Sequence, residues 1–390
     1  MKHQNPIFIP GPSNTPDVLK AAMNISNFDH RAPDFAQDYI PLLNDLKKVF
    51  KTQTGQVLLF SATGTGGWEG AISNTLCAGD KVLIARYGMF SQRWIDLCQR
   101  FGLDVEVVEC VWGTGAPVDE FARRLKADIE GEIKAVLVTH NETATAVKSD
   151  VFGVRKAMDN ANHKALLMVD AVSSLASMDF QMDGWGVDIA ITGAQKGFML
   201  NTGLAIVGVS PKAMAATKTA TLPRCFFDFN DMAYANKIGS YPYTPPVQLF
   251  NGLRASVKLL LDEGMDNVNA RHHRIAQGVR AAVNAWGLEL CAQSPELYSD
   301  TVTAIMVPEG KDSNLITQHA YESYGVSFGG GLGEMAGKLF RIGHLGAMTD
   351  VMALSGIATA EMVMKDLGYD IVLGSGVAAA QKVYQRGIAS

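Results

Sequence analysis

Val169-Asp170-Ala171-Val172 and Gly193-Ala194-Gln195-Lys196-Gly197 decide how this chain reads. An apolar run, Ala165 to Val169, delivers the aspartate, and a second, Val187 to Ile191, delivers a lysine bounded by small residues. Continuous apolar runs of this length read as strands buried on both faces, so both ionisable groups stand at strand ends. A lysine and an aspartate so placed meet the needs of pyridoxal phosphate chemistry. The amine forms a Schiff base with the cofactor aldehyde, and the carboxylate keeps the pyridine nitrogen protonated so that the ring accepts electrons. A surface lysine and a buried aspartate capping a helix would give the same two motifs, and short motifs recur by chance. The rest of the chain decides between the two.

Outward from these segments the pattern alternates. Strand-like runs at Gln56–Phe60, Lys81–Ala85, Val105–Val108, Ala135–Thr139 and Leu204–Val209 join the two already named. Helix-like segments lie between most of them, at Gly67–Leu76, Gln92–Phe101, Val118–Ala127 and Val151–Asn160, and a further helix is expected from Pro33 to Lys51. Apolar runs alternating with helices predict an α/β fold with a mostly parallel sheet covered on both faces. Residues 5–16, with Pro6, Pro10, Pro12 and Pro16, read as an extended arm. After Ser210 comes a polar, aromatic-bearing connection from Leu222 to Thr244, then helices at Val247–Glu263 and Asn267–Trp286. Short strands at Thr301–Val307 and Leu339–Ile342 mixed with helices predict a second, α+β domain.

Composition narrows the function classes. The chain has 390 residues, 47% hydrophobic, with a net charge of −5 and no basic block, which argues against a nucleic-acid partner. No apolar run approaches the ~18 residues needed to span a membrane, and the first residues lack the apolar segment of a signal peptide. Five cysteines, an odd number with no CxxC pair, fit a reduced cytoplasm. No HExxH spacing occurs, and no metal site is expected.

Ser61-Ala62-Thr63-Gly64-Thr65-Gly66-Gly67 follows a strand and opens a helix. Free N–H groups at such a start favour an anion, so Thr65, Gly66 and Gly67 are candidates to cradle a phosphate. The dinucleotide fingerprint fails because Glu69 stands where a third glycine belongs, and a Walker loop is absent. Phe90 follows the strand Lys81–Ala85, where its ring is placed either to stack on a flat cofactor or to fill the core. Thr143, after Ala135–Thr139, is a candidate hydrogen-bond partner for a cofactor oxygen, and His140 is assigned no chemistry. All these segments lie at the carboxyl ends of strands, where open parallel sheets bind ligands. Arg341, inside the apolar strand Leu339–Ile342, suits a bidentate carboxylate or an internal ion pair.

Together the motifs resemble those of class V aminotransferases of fold type I, in particular the aspartate/serine/alanine–glyoxylate group. The likeness runs from Ile9-Pro10-Gly11-Pro12-Ser13-Asn14 and Phe28-Asp29-His30-Arg31-Ala32-Pro33 through Gly64-Thr65-Gly66-Gly67-Trp68-Glu69 and Thr139-His140-Asn141-Glu142-Thr143. It continues through the aspartate and lysine motifs to Tyr241-Pro242-Tyr243-Thr244-Pro245-Pro246 and Arg341-Ile342-Gly343. The resemblance implies a large domain over 17–264 with a seven-stranded sheet, and a small domain from 1–16 and 265–390. It implies pyridoxal 5'-phosphate on Lys196, with Asp170 on the ring nitrogen, Val172 and Phe90 against the ring, and Thr143 near the phenolic oxygen. Thr65, Gly66, Gly67 and Gln195 would hold the phosphate, and Tyr241 and Thr244 would reach the cofactor of the other subunit in a homodimer with shared active sites. Arg341 would bind the substrate α-carboxylate near Gly11 and Ser13. Members commonly carry Leu-Pro-Pro-Gly after the lysine segment; here it is Leu200-Asn201-Thr202-Gly203, which puts that loop's geometry in question.

The implied reaction is a ping-pong transfer from an amino acid to glyoxylate, in the cytoplasm. The resemblance favours aspartate as donor, with serine as the close alternative and alanine a further one. A cysteine desulfurase-like lyase on the same fold would need a nucleophilic cysteine near Arg341, and the nearest in sequence is Cys291.

Overall fold

The structure, a computed structural model, describes residues 6–386, so the extreme ends of the expected small domain lie outside the described residues. Seven strands form the main sheet in the order Gln56–Phe60, Ala205–Val209, Ile189–Gly193, Leu166–Asp170, Ile133–Thr139, Lys81–Arg86, Asp104–Glu109. Ala205–Val209 runs antiparallel to both neighbours, and the other pairs are parallel. The exception follows from chain length. The stretch 194–204 is too short for a crossover helix, so the chain must fold back. The inner strands Ile133–Thr139, Leu166–Asp170 and Ile189–Gly193 are buried along nearly their whole length, as their apolar runs require, whereas the edge strand Asp104–Glu109 is largely half-buried or exposed.

Helices cover both faces. Phe35–Val49 buries Phe35, Tyr39, Leu42 and Leu46 at helical spacing. Helix Gly64–Thr75 starts earlier than its apolar pattern suggested, because its first turn is glycine and threonine. It lies so close to the sheet that a Cβ on Gly67 would stand 2.6 Å from Cγ2 of Ile191. The polar, aromatic-bearing connection after Leu222 contains a helix, Phe229–Lys237, capped by the Asp228 carboxylate.

The C-terminal part carries a three-stranded antiparallel sheet, Val302–Met306, Leu339–Gly343 and Gly329–Gly330, with Leu339–Gly343 in the middle. A second hydrophobic cluster gathers here, including Ile275, Val279, Trp286, Ile305, Phe340 and Ile357. Helix Met265–Ala285 joins the two cores: Val268 belongs to the first and Ile275 to the second. Phe8 of the arm is buried in the second core beside Phe328, and its carbonyl accepts from the Gly343 N–H at 2.7 Å. The arm is thereby anchored in the C-terminal core, with its next residues directed at the main sheet.

Candidate active site

Phe60, Arg86, Thr139, Asp170 and Gly193 all end strands on one edge of the main sheet. This edge collects the residues singled out above. Asp170 is the last residue of its strand, and its Oδ1 accepts the Val172 N–H at 2.9 Å. Burial pushes its carboxyl up to about 7, with Glu142 adding to the rise; the Val172 amide, the Trp68 indole and Lys196 oppose it. The Trp68 indole lies beside this carboxylate and stacks on Trp94 at 5.5 Å, yet its buried Nε1 closes no hydrogen bond of sound geometry.

Lys196 lies three residues past the end of its strand. Its Nζ donates to the Pro10 carbonyl at 2.5 Å. The Ser13 hydroxyl donates to the Lys196 carbonyl at 2.8 Å, and the Ser13 N–H to the Gln195 carbonyl at 2.9 Å. A Cβ on Gly11, at φ +122°, would stand 2.3 Å from Nζ, so only glycine fits beneath the lysine. Burial and the Arg341 charge draw the amine down to about 8, while Asp170 pulls the other way.

Arg341 is buried in the middle strand of the small sheet. Its Nε and Nη2 donate to the Gly330 carbonyl at 3.0 and 2.7 Å, and Nη1 to the Thr143 carbonyl at 3.0 Å. A guanidinium has five donors, so one on each terminal nitrogen is left for a carboxylate. Sequence reasoning weighed an internal ion pair for this residue; its partners are instead backbone carbonyls. Thr143 is itself buried, its hydroxyl 2.7 Å from that of Ser173.

At the helix Gly64–Thr75 the N-cap, Thr63, offers no side-chain cap, so the first amides, including those of Thr65 and Gly66, are open to an anion. Val172 packs against this start: a Cβ on Gly64 would meet its Cγ2 at 2.5 Å. Gln195 Oε1 is buried without a hydrogen-bond partner. Phe90 is half-buried in the first turn of helix Met89–Arg100.

The structure departs from expectation at Tyr241. It is buried among Tyr39 and Phe250, and its hydroxyl donates to the Leu59 carbonyl of its own chain at 3.0 Å. A buried phenol must find an acceptor, and the nearest one is internal. Thr244, in contrast, is exposed. Cys291 is buried with its thiol pushed up to about 11, the reverse of an activated nucleophile. His140 is buried, its Nδ1 bound to the Ser174 hydroxyl and its pKa held down near 3 by burial, as befits a structural residue. Among the described residues no helix is long and apolar enough to cross a membrane, and no cluster of His, Cys, Asp and Glu is placed to hold a metal. Sequence reasoning missed the Pro10 carbonyl, Trp68, Glu142 and the Gly330 carbonyl. The carbonyls carry no side-chain signal; Trp68 and Glu142 lay inside motifs that were read for their neighbours.

An acidic group and an amine lie on one sheet edge, with an arginine that has free donors and an open helix start. Residues 18–331 match the profile described as aminotransferase class-V. The chain belongs to the class-V aminotransferases. It is 64% identical over 386 residues to the L-aspartate–glyoxylate aminotransferase of Paracoccus denitrificans, covering 99% of this chain and 98% of that one. It is 56% identical over 382 residues to the serine–glyoxylate aminotransferase of Hyphomicrobium methylovorum, covering 97% and 94%. The crystal structure of pyridoxamine–pyruvate aminotransferase from Mesorhizobium loti superposes with a TM-score of 0.92 at 28% identity, covering 99% of each chain. The chain is thus a fold type I enzyme, and class-V membership implies pyridoxal phosphate as cofactor. The residues present fit that group: an uncapped helix start for the phosphate, a buried carboxylate for the ring nitrogen and a poised amine for the aldehyde.

Proposed function

We propose that this aminotransferase moves the amino group of L-aspartate to glyoxylate, yielding glycine and the keto acid of the donor. The observation that carries the reading is Arg341: one unspent donor on each terminal nitrogen, in the same field as Lys196 and Asp170. Both substrates have an α-carboxylate, so one fork serves both half-reactions in turn, the ping-pong pattern.

When bound, the cofactor supplies an aldehyde for the amine and a ring that holds the electrons released at the substrate α-carbon. Everything else is done by this chain. Asp170 would hold the proton on the ring nitrogen. The open amides of the Gly64 helix, with the amide group of Gln195, would bind the phosphate. Val172 and Phe90 would pack against the ring, and Thr143 would serve its phenolic oxygen. Arg341 fixes the carboxylate, which orients the α-hydrogen. Lys196, with an amine drawn down to about 8, is able to take that proton near neutral pH and return it. Its hydrogen bond to the Pro10 carbonyl gives the protonated amine a resting partner.

Aspartate is preferred as donor on the higher identity to the aspartate-named relative; serine is the second reading, on the relative named for it. A homodimer with Thr244 directed at the neighbouring cofactor goes with this function. It is supported by exposed Phe28, Ile40, Phe226, Tyr234 and Ile238, and by a nearby groove of about 310 Å³ lined by Phe28, Phe35, Tyr39, Val247, Phe250 and Arg254. The groove contains none of the cofactor-site residues. We assign the enzyme to the cytoplasm, with a large domain over 17–264 and a small one from the arm and 265 onward. A donor and acceptor panel on purified enzyme tests the function: the aspartate–glyoxylate pair should give the highest kcat/KM. Ready transfer to 2-oxoglutarate but not to glyoxylate would refute it.

A further inference from the structure

Glu142 is a fully buried carboxylate with no cationic hydrogen-bond partner. It sits one residue before Thr143, whose carbonyl receives Arg341. Both its oxygens are occupied by backbone amides from two different segments. Oε2 accepts from the Phe90 and Ser91 N–H groups at 3.0 and 2.9 Å, and Oε1 accepts from Phe90 at 3.2 Å and Ala144 at 3.0 Å. The first two amides open helix Met89–Arg100, where a carboxylate is favoured. Packing around it is tight: a Cβ on Gly88 would stand 2.1 Å from Cγ of Glu142.

We propose that Glu142 is a positioning residue, clamping the Phe90 turn to the 142–144 segment so that the ring-stacking face and the Arg341 fork are set as one rigid frame. The inference rests on the proposed cofactor site and names a residue that touches neither cofactor nor substrate. One side of the clamp is Phe90, which would pack against the ring in the proposed site. The other is the Thr143 carbonyl, which fixes which way Nη1 of Arg341 points. Burial raises the Glu142 carboxyl, and the surrounding amides resist the rise. Its charge is also felt by both Asp170 and Arg341, in opposite senses for function: it favours the guanidinium and disfavours a second anion at Asp170.

Glu142→Gln tests this, because an amide has only one acceptor oxygen and would turn an NH2 group toward N–H donors on one side of the clamp. Cofactor-free protein is titrated with pyridoxal phosphate and followed by tryptophan fluorescence, and steady-state kinetics are run on the loaded enzyme. The clamp predicts a dissociation constant for the cofactor raised about tenfold or more, and KM for both substrates raised more than kcat falls. Gly88→Ala keeps the charge but pushes it off its seat, and should give the same split if Glu142→Gln fails to fold. A folded variant of either kind with wild-type cofactor affinity and wild-type KM values overturns the proposal. Failure of the wild-type protein to bind pyridoxal phosphate would instead overturn the cofactor site itself.

Discussion

The Pro10 carbonyl stands 2.5 Å from Nζ of Lys196, so the arm that Phe8 anchors in the C-terminal core holds the lysine at the edge of the main sheet. Gly11 continues the contact, with no room for a Cβ against the same nitrogen. Gly11→Ala is expected to displace the amine, lowering kcat by about tenfold or more while the far-UV spectrum stays unchanged. Wild-type kcat in that variant would show that the arm does not set the lysine.

Asp170 gives a pH signature to the cofactor-free protein. Its folded pKa of about 7 lies above its ordinary 3.8, so its contribution to stability is fully present below pH 3.8 and is lost as pH rises through 7. The loss amounts to about 4 kcal/mol at most, from roughly three pKa units. Urea unfolding between pH 4 and 8 measures it. Asp170→Asn should flatten this part of the profile, and an unchanged slope would remove Asp170 as its source.

Lys196 moves the opposite way, from 10.5 down to about 8, so its amine is neutral and nucleophilic well below the ordinary lysine range. The rate of cofactor loading should therefore rise with pH with a midpoint near 8 and level off above it. Arg341→Ala removes the charge that helps draw the amine down and should move that midpoint upward. A midpoint near 10.5 in the wild-type protein would contradict the assigned environment.

Much of this was legible in sequence because apolar runs report burial directly. The strands leading to Asp170 and Lys196 lie within two residues of their apolar runs; the sequence pattern did not reveal that Ala205–Val209 is antiparallel, because an apolar run carries no direction. Other features were hidden for physical reasons. Helix Phe229–Lys237 was overlooked because its polar, aromatic composition masked the Asp228 cap. The turn at Gly64 hid a helix start behind glycines, which favour loops. The apolar strand around Arg341 points to a bidentate carboxylate or an internal ion pair, but its partners in the fold are backbone carbonyls, and no residue letter encodes where a carbonyl points. The resemblance directs Tyr241 at the neighbouring subunit's cofactor, whereas its ring packs inward on Phe250 and its hydroxyl bonds to the Leu59 carbonyl.

Arg341→Lys should raise KM for both aspartate and glyoxylate, because a single ammonium nitrogen lacks the planar fork that reaches Gly330 and Thr143 while presenting two parallel donors to a carboxylate. Leaving one of those buried carbonyls unpaired should also cost about 1–3 kcal/mol of stability. Parallel kinetics and chemical denaturation check both effects. A KM raised for one substrate only would mean that the two carboxylates bind at different places.

The central claim is that Lys196, opposite Asp170, carries the cofactor. Borohydride reduction of the loaded enzyme followed by peptide mapping tests it most directly. The pyridoxyl group should appear on the peptide containing Lys196, with Lys196→Ala losing both the label and activity. A label on any other lysine, or an active Lys196→Ala enzyme, would contradict the account.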